Sequence, residues 1–339
     1  MTPNSSPETT IRVGIDVYSL RSQSWNAFET LDYCRRLGAQ VVHFSEPRFI
    51  GDLKQDHLLA VRAHAARLGL EIEIGMLSIC PTSNLFNSSR GPADAQLAEM
   101  IHAAEIIGSP IVRAVMGNAA DRRGPIPLQD HMENTIRVLR TVRSRAIDAG
   151  IKIAMENHSG DMQAWELKTL IEEAGSDFVG VCLDSGNPLI TIEDPHVTLE
   201  TLAPHVLTSH VRDSRVWLTQ EGAAAAWVRM GEGNVGIHNF VTKYQQSCPQ
   251  RTISLELILS NQPRLFPYRT LAFWDSYRRT PAWQFARFLS LAEKGTPPAF
   301  APPVVTSDLA AQERADVEAS FRCLQDVCSR TTRRTGSAE

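Results

Sequence analysis

No run of this chain is apolar for the roughly 20 residues that a bilayer-spanning helix needs, so no membrane-crossing segment is expected. The opening decapeptide MTPNSSPETT is polar and lacks the apolar centre of a secretory signal; residues 1–10 read as a disordered leader. The six cysteines (Cys34, Cys80, Cys182, Cys248, Cys323 and Cys328) form no CxxC pair. That argues against a zinc-ribbon framework and, in a chain this long, points to reduced thiols in a cytoplasmic protein. Basic residues are not in excess: 34 Lys+Arg face 38 Asp+Glu, a formal net charge of −4. No global positive field invites nucleic acid or an anionic membrane. No GxGxxG follows the first apolar run, which weakens a dinucleotide-binding reading, and no internal repeat or low-complexity tract is visible.

What is present suits one large α/β domain. The chain has 339 residues, 43% hydrophobic and 21% charged, enough for a sizeable core. Eight short apolar runs read as strands, at 11–18, 40–46, 70–78, 110–116, 151–157, 178–184, 206–212 and 252–258. Helical patterns fall between them at 25–37, 53–68, 91–107, 128–149, 163–174, 195–203 and 236–246, with another at 281–294. Alternation of this kind implies a parallel sheet, and eight units imply a closed (β/α)8 TIM barrel over residues 11–294, the catalytic domain. Gly38, Gly69, Gly108, Gly150 and Gly175 each sit just past a helical pattern, where a left-handed residue ends a helix. The connections 213–235 and 259–280 read as long functional loops. A Pro-rich linker begins at 295, and 308–329 reads as an amphipathic helix striped by Val317, Phe321, Leu324 and Val327. This C-terminal extension, 295–339, could pack on the barrel or on a partner subunit.

Strand side chains alternate faces with a period of two. On that count Glu156 shares a face with Ala154, Asp184 with Cys182, His210 with Thr208, and Glu256 with Ser254. The opposite positions, such as Ile153, Met155, Val181, Leu183, Ile253 and Leu255, are large and apolar and suit packing against helices. The four ionisable residues therefore point into the barrel near the C-terminal ends of their strands, where barrel enzymes place their chemistry. Three carboxylates crowded there repel one another unless a cation offsets them. Carboxylates with a single imidazole suit one divalent ion, with Mn²⁺ expected and Mg²⁺ or Co²⁺ as alternatives.

The segments AMENHSG (154–160), GVCLDSGN (180–187), SHVRD (209–213), GEGNVG (231–236) and SLEL (254–257) resemble those of the xylose-isomerase-like TIM barrels. That superfamily includes sugar isomerases and ketose 3-epimerases and is related to the endonuclease IV group. The resemblance covers 11–294 in organisation and is most specific between 151 and 257. It implies Glu156, Asp184, His210 and Glu256 as metal ligands, with Glu156 and Glu256 also serving as catalytic acid and base. One position departs from the epimerase pattern: Asn187 stands three residues after Asp184, where family epimerases often have His. Asn can hydrogen-bond a hydroxyl but carries no proton at neutral pH, which tells against simple 3-epimerisation and leaves the metal site untouched.

Further candidate contacts to substrate are Glu46, Arg113, His158, Asn187 and Arg212. Arginines are also frequent around the expected mouth (Arg48, Arg215, Arg229, Arg264, Arg269), which suggests an anionic, sugar-like small molecule. Trp217, Trp227 and Trp274 are candidates for a sugar-stacking face, whereas His43 reads as a core residue. The expected activity is a metal-dependent isomerase or epimerase of a sugar or sugar acid. A lyase on the same scaffold, eliminating a group from a 3-keto sugar or decarboxylating a keto sugar acid, is the alternative. An endonuclease IV-like nuclease and a non-catalytic sugar-binding barrel are more remote. A homo-oligomer is compatible with all of these.

Overall fold

The structure is a computed structural model that describes residues 11–248, 251–259, 262–299 and 308–335. Its strands are β1 (Arg12–Asp16), β2 (Val41–Phe44), β3 (Glu71–Ser78), β4 (Ile111–Val115), β5 (Lys152–Glu156), β6 (Val179–Asp184), β7 (Val206–Val211), β8 (Asp213–Leu218), β9 (Ala223–Val228), β10 (Thr252–Leu255) and β11 (Arg264–Phe266). Strands β1 to β7 and β10 close into a parallel barrel in the order β1-β10-β7-β6-β5-β4-β3-β2. All eight lie inside the runs read from the sequence. Helices Ala27–Arg36, Gln55–Leu68, Ala93–Ile107, Leu128–Asp148, Ala164–Ala174, Pro195–Leu202 and Ile237–Ser247 surround it. Their ends carry local signals: Asn26 and Glu29 form a capping box, and Gly69 and Gly108 end their helices at φ of 67° and 82°. No described helix is long and apolar enough to cross a membrane.

Period-two alternation sorts the barrel into two environments. Ile153, Met155, Val181, Leu183, Ile253 and Leu255 are fully buried in the main core beneath the helices. Each such burial contributes about 1.5–3 kcal/mol. The inward face is small and polar. A Cβ on Gly14 would lie 2.6 Å from Ser254 Oγ and 2.9 Å from Val41 O, so the lumen is filled there rather than open.

The two connections read as loops are not irregular. Strands β8 and β9 form an antiparallel hairpin, and β11 pairs antiparallel with β9 to give a three-stranded sheet. The sheet has its own apolar cluster, which includes Leu189, Val216, Ala225, Phe266 and Phe288. The run AAAAWV that makes β9 is poor in β-branched residues. Its strand character comes from pairing on both edges rather than from its own propensity.

The last helices also exchange the places that their order suggests. Helix Ala282–Glu293 follows the final barrel strand, but Phe288 and Ala292 bury it in the cluster of the small sheet. Helix Leu309–Thr335 lies instead between the first and last helices of the ring. Tyr33 Oη donates to Glu318 Oε1 at 3.0 Å, and Gln245 Nε2 donates to the Cys328 carbonyl at 3.2 Å. The stripe Val317, Phe321, Leu324 and Val327 joins the main core. The C-terminal helix thus packs on the barrel and completes its outer ring. Residues 1–10, and residues 300–305 of the Pro-rich stretch, lie outside the described residues.

Truncating Phe321, which is 1% exposed, to Ala is therefore expected to destabilise the whole barrel by about 3–5 kcal/mol. Urea unfolding followed by barrel-wide circular dichroism checks this. A loss under about 0.5 kcal/mol would mean that the helix is not part of the core.

Candidate metal centre

Glu156 ends β5, Asp184 ends β6, His210 lies in β7, and Glu256 follows β10. Asp184 is in register with His210 across the β6–β7 pair. One donor atom from each of the four residues lies within 4.8 Å of the others, and all four residues are buried. His210 Nδ1 is 3.1 Å from Glu156 Oε2 and 3.4 Å from Glu256 Oε2. The opposite ring nitrogen, Nε2, is 3.0 Å from His43 Nδ1, and this contact orients the imidazole. The backbone N–H groups of Gly186 and Asn187 donate to Asp184 Oδ1 at 2.7 and 2.6 Å. Asn157 ties the two motif segments together: its Nδ2 donates to the Asp184 carbonyl and its Oδ1 accepts from the Asp184 N–H.

Three carboxylates in so dry a place need positive charge nearby. Arg113 Nε donates to Glu156 Oε2 at 2.6 Å. Arg212 Nη2 pairs with both Asp184 and Glu256. Burial by itself raises the Glu156 carboxyl, but Arg113 and then His210 outweigh it and hold the group well below the usual carboxylate range. At Asp184 burial wins over Arg212 and the carboxyl stays raised. Burial disfavours charge on His210, yet Cys182, Glu156 and Asp16 together push the imidazole well above its ordinary value. The cage therefore attracts positive charge at this point. His210 Nδ1 is buried without a hydrogen-bond partner while carboxylate oxygens converge on it. Hard oxygen donors with one such nitrogen fit a divalent cation.

The other expected contacts divide. Asn187 Nδ2 donates to Glu156 Oε1 at 3.1 Å, and its Oδ1 is buried without a partner. Arg113 is committed to Glu156 and, through Nη1, to the Met76 carbonyl at 3.1 Å. His158 is turned toward Gly117, with Nδ1 2.7 Å from that carbonyl. Burial lowers its pKa to about 4, so it is neutral at pH 7. Glu46 pairs with Arg48 at 2.8 Å, at the edge of β2. Of the three tryptophans, Trp217 is buried with Ala224 and Ala226. Trp274 Nε1 donates to the Tyr268 carbonyl. Trp227 meets a site arginine, with the Arg212 guanidinium carbon 4.4 Å from its ring centroid.

Sequence reasoning passed over three groups in the lumen. His43 is no simple core residue, because it holds His210. Glu73 accepts from Thr208 Oγ1 at 2.6 Å and lies 3.5 Å from His43 Nδ1. Asp16, whose Oδ1 is buried without a hydrogen-bond partner among the described residues, offers a donor atom within 4.8 Å of those of His43 and His210. The alternation that picked out Glu156 also places Asp16 and His43 inward, since they align with each other in the β1–β2 register. Asp213 was missed as well. It accepts from the backbone N–H groups of Gly231 and Gly233 at 2.9 Å each, which accounts for GEGNVG. A Cβ on Gly233 would come within 2.0 Å of Asp213 Oδ1.

His210→Ala is expected to weaken Mn²⁺ or Zn²⁺ binding by far more than tenfold, and His43→Phe by roughly 10–100-fold through loss of ring orientation. Calorimetric titration of chelator-stripped protein measures both. Unchanged affinity in His210→Ala would remove the site.

A model of the xylose isomerase-like TIM barrel family matches residues 31–271. Among curated proteins, a 3-oxo-isoapionate decarboxylase of Pectobacterium atrosepticum is 23% identical over 192 residues, 57% of this chain and 62% of that protein. The match thus spans under two thirds of that relative's length. Among solved structures, an L-ribulose 3-epimerase superposes with a TM-score of 0.59 at 17% identity, covering 97% of this chain and 99% of that one. A Mycobacterium smegmatis xylose isomerase-like protein in complex with magnesium gives 0.60 at 14%, covering 85% and 100%. The closed eight-stranded barrel and the family match over most of its length agree: this chain belongs to the xylose isomerase-like TIM barrels.

Proposed function

We propose that the chain is a divalent-metal-dependent isomerase or epimerase of a sugar or sugar-acid derivative, working by proton transfer beside a carbonyl. The observation that carries this reading is the convergence of Glu156, Asp184, His210 and Glu256 on one point at the barrel mouth. A divalent cation held there would polarise the substrate carbonyl and offset negative charge that develops next to it. Mn²⁺ is the expected ion, and Mg²⁺, found with the mycobacterial relative, has the same preference for oxygen donors.

The chain's own groups divide the remaining work. Arg113 keeps Glu156 ionised, so this carboxylate starts ready to accept a proton. Glu256, also beside His210, would deliver a proton to the substrate from its own protonated form. Asn187, joined to Glu156 through Nδ2, can hydrogen-bond a substrate hydroxyl but cannot relay a proton. The buried walls exclude water and strengthen each of these charge contacts.

A second reading is a lyase, and Asn187 favours it together with the decarboxylase relative. Loss of CO₂ from a β-keto sugar acid would require the same stabilised negative charge but no second proton-transfer partner at position 187. Incubation of metal-loaded protein with keto sugars and keto sugar acids in D₂O separates the two. An isomerase conserves substrate mass and incorporates deuterium, whereas a lyase releases CO₂ or a fragment. Glu256→Gln is expected to reduce kcat by about 10²–10⁴. Wild-type activity that survives chelation undiminished would defeat the metal-dependent reading.

A further inference from the structure

Most arginines near the mouth end on a defined partner. Arg215 donates to the Glu232 carbonyl, Arg229 pairs with Asp316, and Arg269 donates to the Gln220 carbonyl. Arg264 differs. Among the described residues it has no carboxylate partner, and its guanidinium carbon lies 4.6 Å from the Trp227 ring centroid. Arg212 meets the same ring at 4.4 Å. Arg212 is 2% exposed, and its Nε and Nη1 are buried with no hydrogen-bond partner. Two guanidiniums therefore share one indole; on Arg212 only Nη2 is paired with carboxylates, and Arg264 has no carboxylate partner among the described residues.

The placement is specific to the small sheet. Trp227 is on β9 and Arg264 on β11, with Arg264 opposite Ala225, so Arg264, Ala225 and Trp227 share a face. That face looks onto the turn carrying Asp184. A Cβ on Gly186 would come within 2.5 Å of Arg212 Cγ and 2.8 Å of Trp227 Nε1. Glycine is what lets the arginine–tryptophan stack close on the metal-ligand turn. A small pocket on this side of the sheet is lined by Gly186, Leu189, Ile190, Ala225, Trp227 and Arg264. Burial, with Arg212 and Arg123 adding to it, lowers the Arg264 pKa.

We propose that Arg212 and Arg264, both held against Trp227, form a subsite for a substrate carboxylate, and that the small sheet thereby selects sugar acids over neutral sugars. The proposal rests on this cluster being the sugar-processing centre described above. A carboxylate fits better than a phosphate because the nearest backbone N–H groups, of Gly186 and Asn187, are spent on Asp184. Donors that remain beside the turn are the two guanidiniums and Trp227 Nε1, and a guanidinium meets the two oxygens of a carboxylate as a fork.

The test is calorimetric binding to metal-loaded protein, with D-glucuronate against D-glucose, D-gluconate against D-glucitol, and D-glucose 6-phosphate as the phosphate arm. Both sugar acids are expected to bind at least tenfold more tightly than their neutral counterparts. Arg264→Ala should abolish that preference while leaving neutral-sugar binding, metal affinity and unfolding midpoint unchanged; Arg264→Lys should retain part of it. Equal binding of acids and neutral sugars, tighter binding of the 6-phosphate than of glucuronate, or an undiminished preference in Arg264→Ala would each overturn the subsite. Binding requires no turnover. Protein that discriminates but shows no deuterium exchange keeps the subsite and loses the proposed reaction, and exchange without discrimination does the reverse.

Discussion

The rest of the structure is arranged around a repulsion. Glu156, Asp184 and Glu256 converge in a region from which water is largely excluded. Like charges so close, in so low a dielectric, would drive the strand ends apart or take up protons. The chain answers with Arg113 on one side and Arg212 on the other, and with an imidazole whose orientation is set from behind by His43. Backbone N–H groups at Gly186 and Asn187 fix the Asp184 carboxylate further. The four side chains, with donor atoms within 4.8 Å of one another, could hold a metal ion.

The barrel makes this crowding mechanically tolerable. Its strands are held by parallel ladders on both sides and by an apolar layer of Ile, Val, Leu and Met beneath the helices. The cost of gathering acids at the mouth is spread over a core that the mouth residues do not share. The helix Leu309–Thr335 belongs to that support, because it seals the ring where the final strand's own connection has been diverted. That diversion is what frees β8, β9, β11 and helix Ala282–Glu293 to build a separate sheet over the site. Trp227 and Arg264 reach the turn that carries Asp184 from it.

Much of this was legible from residue order. Eight apolar runs with helices between them imply a parallel barrel, and strand alternation brings Glu156, Asp184, His210 and Glu256 to the inner face. Other features were not legible, for identifiable reasons. AAAAWV carries no strong strand preference and becomes β9 only when β8 and β11 pair with it. His43 looks like one more core position until the β7 ring is placed beside it. Arg113 and Arg264 look alike in sequence, yet the first is bound to a glutamate and the second to an indole.

Periodicity, glycine placement and the position of acids at strand ends are local properties. They depend on spacing along one chain, and so the amino-acid sequence by itself determined the barrel, the ends of its helices and the inward direction of the four donors. Partner choice is not local. Which groove the amphipathic C-terminal helix fills, which arginine neutralises which carboxylate, and which side chains close over the mouth depend on surfaces from separate elements of the chain meeting in space. Only the tertiary structure decided those, because burial and charge pairing act through distance rather than through sequence order.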